Sequence, residues 1–141
     1  MGLRRKSREL ALQFFYGHDF QGRSCDEDAL KRELAEFTAN FDTGKKVLPY
    51  AEQIIKGLCC HLEEVDEHLA RHAHNWRIER MSVVDRNLLR IAAWEMLYND
   101  EVPVQVAINE ALEIAKRYSA PDAVAFINGI LDALQTGTGT V

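Results

Sequence analysis

The sequence predicts an all-α protein. Apolar residues recur with a period near 3.6 along most of the 141-residue chain, as they do on the buried face of an amphipathic helix. The sequence has no period-2 alternation of strand length and no Asn-Gly or Asp-Gly hairpin turn. Apolar residues make up 47% of the chain and there are only three prolines, a composition typical of a globular domain rather than a disordered chain.

The first half of the chain is predicted to form four helices. Their limits are about 4–18, 26–40, 48–62 and 65–74. Ser24 and Glu27 form a capping box at the start of the second helix, and apolar residues follow at helical spacing between 30 and 41. Pro49 suits the first turn of the third helix. From Ala51 onward, one apolar face continues for nearly 20 residues through the third and fourth helices.

The second half is predicted to form three more helices, which brings the total to about seven. Their limits are about 83–99, 103–118 and 122–135. Ser82 and Asp85 form a capping box for the first of them, Pro103 suits the start of the second, and Ser119 with Asp122 is a candidate box for the third. Apolar residues cover almost the whole circumference of the 83–99 helix, which therefore should be central. The Gly/Thr-rich tail 136–141 should fray, so residues 1–135 are predicted to form one domain.

Three residues look out of place inside these helices. Gly57 and Gly129 each cost about 1 kcal/mol relative to alanine, and close approach of a neighbouring helix is the expected compensation. Glu95 lies in the otherwise apolar central helix. A buried carboxylate needs a partner, and an arginine such as Arg90 is the expected one.

Positive charge is concentrated at the N-terminus. Residues 1–8 hold four cations and no acid, whereas the other 133 residues carry 13 cations and 22 acids. We refer to Arg4, Arg5, Lys6 and Arg8 as the basic arm. Cations at a helix N-terminus oppose the helix dipole by some tenths of a kcal/mol, so the arm favours a binding role. A basic arm on an acidic body indicates a positioned contact with a polyanion.

The sequence lacks the common signatures of catalysis and metal binding. It has no phosphate-binding glycine-rich loop, no G-x-S-x-G and no H-E-x-x-H. His68 and His72 are one turn apart near Cys59 and Cys60, but adjacent cysteines point about 100° apart on a helix. A core Cys59 beside solvated histidines is therefore the expectation. We predict no enzyme and no bound metal.

Cysteine usage and hydropathy indicate a cytoplasmic protein. Three cysteines, two of them adjacent, do not form a disulfide framework, so a reduced protein is expected. No apolar segment follows the basic N-terminus, as a secretory signal would require. No uncharged run approaches the about 20 residues of a membrane span.

Three aromatic residues near helix ends are candidates for stacking. They are Tyr16, Tyr118 and Phe126. An exposed ring can stack an unpaired RNA base, a contact worth about 1–3 kcal/mol. The alternative for each ring is ordinary packing in the core.

Four segments of the chain resemble the NusB family of bacterial transcription antitermination factors. They are residues 8–16 (RELALQFFY), 85–95 (DRNLLRIAAWE), 102–116 (VPVQVAINEALEIAK) and 122–132 (DAVAFINGILD). Together they cover the first helix and nearly all of 76–134, while about 20–75 matches in pattern and spacing only.

The resemblance implies a fold of two small helical bundles packed side by side. It implies binding to the boxA element of ribosomal RNA leader transcripts, together with NusE, a protein of the small ribosomal subunit. The pair joins RNA polymerase with other Nus factors and suppresses premature termination. No catalysis and no cofactor are implied.

The resemblance also supplies candidate RNA-binding residues. They are Arg4, Arg5 and Lys6 of the basic arm, extended to its last member Arg8, and Tyr16, Asp85, Asp122 and Phe126. Cations attract phosphates without regard to sequence, aromatic rings stack on unpaired bases, and a carboxylate accepts hydrogen bonds from base amino groups or a 2′-hydroxyl. Three to four phosphate contacts are expected.

Three alternatives remain open at this point. The chain could be a helical protein–protein adaptor without RNA specificity, or a NusB-like domain serving an RNA-modifying enzyme. It could also form a homodimer that buries part of the RNA-binding face, because exposed aromatic residues serve either contact.

Overall fold

The computed structural model describes residues 2–17, 27–39, 46–72 and 80–139. Within these ranges the chain forms six helices, which confirms the predicted all-α class. They are α1 (Leu3–Gly17), α2 (Glu27–Ala39), α3 (Leu48–His72), α4 (Val83–Tyr98), α5 (Val104–Tyr118) and α6 (Pro121–Gly139). None of the helices in the described ranges combines the length and the hydropathy that a membrane span requires.

The third and fourth predicted helices form a single helix, α3, with a kink. His61 has non-helical dihedral angles (φ −119°, ψ 17°), one residue before the end that the sequence predicts for the third helix. The His61 ring stacks on Tyr98 at a centroid distance of 4.1 Å, and its Nδ1 lies 2.9 Å from Glu64 Oε2. These contacts hold the kink against the end of α4.

Helix α4 lies at the centre of the molecule, as its apolar circumference predicts. It packs against α1, α3, α5 and α6, and every residue from Arg86 to Glu95 is buried. One continuous hydrophobic core contains residues of all six helices. The two bundles that the resemblance implies are therefore joined by this main core around α4, and Leu10, Val47 and Ala51 form a small second cluster.

The two intrahelical glycines differ in their surroundings. A Cβ on Gly57 would lie 2.3 Å from Trp94 Cζ2, so the close approach of α3 and α4 requires glycine there. A Cβ on Gly129 would meet nothing within 4 Å. The predicted close approach is therefore confirmed at Gly57 and wrong at Gly129, which is exposed on α6.

Helix α6 extends to Gly139, beyond residue 135 where the sequence predicts its end. A Cβ on Gly137 would lie 2.3 Å from Nδ1 of His72. The last turn of α6 thus packs closely against the end of α3, and this tertiary contact supports helix where composition alone predicts fraying.

Adjacent cysteines on α3 have different surroundings. Cys59 is buried, as its place on the apolar face predicts, but it is disulfide-bonded. Cys60 is free and exposed. The expectation of a fully reduced chain is therefore corrected for Cys59. No group of three or more histidine, cysteine or acidic residues in the described ranges is placed to hold a metal ion.

One predicted helix cap is confirmed and another lies outside the described residues. The side chain of Ser82 accepts a hydrogen bond from the backbone N–H of Asp85 at 3.1 Å, as a capping serine should. The predicted box at Ser24 and Glu27 begins outside the described ranges.

Candidate nucleic-acid interface

The basic arm occupies the first two turns of α1, and its four cations have different environments. Arg4 and Lys6 are exposed. Arg4 lies with its guanidinium over the ring of Tyr50, 4.9 Å from the centroid, and donates from Nη2 to Glu101 Oε1 at 3.2 Å. Both members of that ion pair face solvent, so Arg4 can exchange Glu101 for a phosphate at little cost.

Arg5 is held by a carboxylate of α5. Its Nε and Nη2 donate to Oε1 and Oε2 of Glu110 at 2.8 and 2.7 Å, a bidentate pair with both side chains partly buried. Hydrogen bonds from Arg5 hold the pKa of the Glu110 carboxyl below its usual range, and the same bonds raise the pKa of the Arg5 guanidinium. Most of the positive charge of Arg5 is therefore compensated within the fold.

Arg8 lies in the core, so the structure removes it from the predicted set of RNA contacts. The side chain is only 4% exposed and its Nε donates to both carboxylate oxygens of Glu95 at 2.9 Å. The hydroxyl of Tyr50 donates to the same carboxylate and accepts from Asn99 Nδ2 at 3.0 Å. Burial, with Glu95 beside it, raises the pKa of Tyr50, which keeps this hydroxyl a donor.

The expected partner of Glu95 is thus corrected from Arg90 to Arg8. Arg90 instead pairs with Asp66 of α3, donating from Nε and Nη2 at 3.0 and 2.9 Å. Both arginines are buried in ion pairs, as the sequence predicts for Arg90. The sequence could not reveal Arg8 as the partner, because the pairing depends on how α1 crosses α4.

Tyr16 is the most exposed large hydrophobic residue in the described ranges. It is 67% exposed in the last turn of α1. Lys6, Glu9 and Gln13 precede it at helical spacing on the same face of α1. We refer to these four residues as the α1 strip. The strip offers a cation, an amide and a ring to solvent.

Asp85 and Ser119 join the start of α4 to the end of α5. The Ser119 hydroxyl donates to Asp85 Oδ1 at 2.6 Å, so Ser119 binds α4 rather than capping α6 as the sequence predicts. Asp122 is exposed in the first turn of α6. Phe126 follows one turn later and is partly buried against the core. We refer to Asp85, Ser119 and Asp122 as the helix corner.

An ion pair connects the helix corner to the α1 strip. Arg117, near the end of α5, donates from Nη1 to Glu9 Oε2 at 2.8 Å. Glu9 is therefore a structural member of this surface, and sequence reasoning missed it. The pair brings the α1 strip and the corner to one side of the molecule. That side carries an exposed lysine, an exposed tyrosine and two carboxylates at helix starts.

The fold and this surface together define a class: a small all-α protein with a polar face that carries an exposed aromatic ring. Comparison with known proteins gives the family. The sequence model of the NusB family matches residues 5–136. The chain belongs to the NusB family of transcription antitermination proteins.

Individual relatives match over nearly the whole chain. The transcription antitermination protein NusB of Desulfotalea psychrophila is 44% identical over 137 residues, which cover 96% of this chain and 97% of that protein. The protein of the same name from Desulfosudis oleivorans is 43% identical over 140 residues, which cover 99% of this chain and 89% of that protein.

Solved structures show the same fold. A structure of T. maritima NusB superposes with a TM-score of 0.77 at 37% identity, covering 94% of this chain and 90% of that one. A crystal structure of the antitermination factors NusB and NusE in complex with dsRNA contains a chain that superposes with a TM-score of 0.76 at 26% identity. That match covers 97% of this chain and 98% of the other.

Proposed function

We propose that the protein binds boxA RNA of ribosomal RNA leader transcripts, together with NusE, and helps RNA polymerase read through terminators. The observation that carries the proposal is the junction of the α1 strip with the helix corner through Arg117 and Glu9. It gathers the chemistry that single-stranded RNA requires, namely cations for phosphate, a ring for stacking and carboxylates for base amino groups.

The relatives support the proposed partners. A solved structure contains the antitermination factors NusB and NusE in complex with dsRNA, and the related proteins carry the name transcription antitermination protein NusB. We assign to this chain the same two partners, in the cytoplasm, within a complex of RNA polymerase and other Nus factors. The proposed role is binding, without a catalytic step or a cofactor.

The proposed RNA contacts are Arg4, Lys6, Tyr16, Asp85, Asp122 and Phe126, with Arg5 in a weaker role. Arg8 is left out because it is buried against Glu95. Two to three phosphate contacts then remain in place of the three to four expected from the sequence. At roughly 0.7 per contact for single strands, the slope of log K against log salt should be about −1.5 to −2.

The test is a fluorescence anisotropy titration of a boxA RNA and a permuted RNA of equal composition, at several salt concentrations, with and without NusE. We expect the boxA RNA to bind more tightly, and NusE to increase its affinity. Lys6→Gln should reduce the salt slope by about 0.7. Lys56→Gln is the matched control, because Lys56 is an exposed lysine on α3 paired with Glu52.

Equal affinity for the boxA and permuted RNAs would contradict the sequence-specific role and favour the protein-adaptor alternative. A homodimer formed through Tyr16 would compete with RNA for the same ring. Sizing the protein by light scattering with and without RNA separates the two arrangements, because RNA should dissociate such a dimer.

A further inference from the structure

Tyr118 is an exposed ring that none of the contacts described above uses. It is the last residue of α5 and is 51% exposed. The guanidinium of Arg117 lies over one face of its ring, 5.6 Å from the centroid. A cation at this distance attracts the ring, so Tyr118 is held in position while much of its surface stays in solvent.

Tyr118 lies directly beside the helix corner. Its neighbour Ser119 donates to Asp85, and its other neighbour Arg117 pairs with Glu9 of the α1 strip. The ring therefore lies where the two parts of the proposed interface meet. The described residues show no such connection for Tyr98, another exposed tyrosine, which packs on His61 at the α3 kink.

We propose that Tyr118 is a second stacking platform of the RNA interface and takes an unpaired base on the ring face not covered by Arg117. Arg117 is a positioning residue, because its ion pair with Glu9 and its contact with the ring fix the platform relative to α1. The ligand class is an unpaired nucleobase of single-stranded RNA. This inference rests on the proposed function.

Stacking and phosphate contact have different signatures in solution. Loss of a stacked base weakens binding by about 5- to 150-fold at every salt concentration. Loss of a phosphate contact changes the salt slope. Because the charge of Arg117 is already paired with Glu9, neither Tyr118→Ala nor Arg117→Gln should alter the slope by a full contact.

The experiment measures boxA RNA affinity and salt slope for wild type, Tyr118→Ala, Tyr118→Phe and Tyr98→Ala. We expect Tyr118→Ala to bind at least 5-fold more weakly with an unchanged slope, and Tyr118→Phe and Tyr98→Ala to bind like wild type. Arg117→Gln should give a smaller loss than Tyr118→Ala. Thermal unfolding checks that each variant is folded.

A second readout uses wild-type protein and boxA RNAs with 2-aminopurine substituted at single positions. At one position, the 2-aminopurine fluorescence should be quenched by wild type. The fluorescence should recover with Tyr118→Ala but not with Tyr118→Phe. This assay keeps the proposal testable even if Tyr118→Ala is unstable. Tyr16→Ala identifies the RNA position whose fluorescence is quenched by Tyr16. If wild type quenches the fluorescence of no other position, the proposal is overturned.

The outcomes separate this inference from the proposed function. If wild type binds boxA RNA and Tyr118→Ala binds equally well, the platform is refuted and the proposed function stands. If Tyr118→Ala instead weakens NusE binding and leaves RNA affinity unchanged, Tyr118 belongs to a protein interface and the inference is overturned. If wild type does not prefer boxA RNA, the proposed function and the inference fall together.

Discussion

Replacing Arg8 by methionine tests the buried ion pair that fixes α1 to α4. The substitution keeps an apolar stem of similar length and removes the cation that faces Glu95. The side chains of Arg8 and Glu95 are only 4% and 1% exposed, so water cannot replace the lost partner. The Tyr50 hydroxyl still donates to the Glu95 carboxylate, but it carries no charge.

The expected loss of stability can be bounded. Removing one partner of a buried pair costs about 3–5 kcal/mol. For a chain of this length, each kcal/mol lowers Tm by about 3 °C. We therefore expect Arg8→Met to lose about 3 kcal/mol and roughly 10 °C in Tm.

Urea and thermal denaturation of a double-mutant cycle measure this effect. The double variant Arg8→Met/Glu95→Leu should recover much of the loss, with a coupling of about 2 kcal/mol, because no unpaired charge remains. Arg71→Met is the control, since Arg71 pairs with Glu67 in solvent and should change stability by less than about 0.5 kcal/mol. If Arg8→Met and Arg71→Met lose the same free energy of unfolding, the argument from burial is refuted.

Three further substitutions should change the free energy of unfolding, two of them lowering it and one raising it. Gly57→Ala should destabilise by about 1–3 kcal/mol in urea denaturation, because its Cβ would lie 2.3 Å from Trp94; a neutral result would show that the ring can move. Gly129→Ala should stabilise by roughly 0.5–1 kcal/mol, because the Cβ meets nothing within 4 Å; a loss would indicate strain at that helical position. Glu110→Gln should lower stability at pH 7. Arg5 depresses the pKa of Glu110 in the folded state, so this contribution is present above about pH 4.5 and is lost as pH falls through the folded pKa. The difference in stability from wild type should narrow as the pH falls below 4.5 and through the lowered folded pKa of Glu110. A difference that is independent of pH would contradict the pairing.

Most of the fold could be predicted from the sequence because helices leave a periodic record. The apolar circumference of 88–97 placed α4 at the centre, and Ser82 marked its start. The boundary predicted between the third and fourth helices is wrong, since the structure has one kinked helix there. Whether a break becomes a loop or a kink depends on tertiary contacts such as His61 on Tyr98, which no local pattern contains.

The candidate site was predicted less completely than the fold. Residue type identified Tyr16 as a candidate, and the structure shows it exposed. Charge alone grouped Arg8 with Lys6, although one is buried and the other exposed. The difference arises because positions 6 and 8 are 200° apart on a helix, and α4 places Glu95 opposite only one of them. A helical-face assignment of α1 would have separated them.

The ion pairs of α1 also explain how a cation-rich helix start is tolerated. Its first turn has no acid to favour the helix dipole. Instead, carboxylates from α4, α5 and the loop before α5 neutralise the arm through Glu95, Glu110 and Glu101. These pairs fix α1 in place but leave fewer free cations for phosphate. Attraction to phosphate does not depend on nucleotide sequence. A surface with few free cations should therefore bind polyanions in general only weakly. Its positioned rings and carboxylates should make its affinity depend more strongly on the RNA sequence.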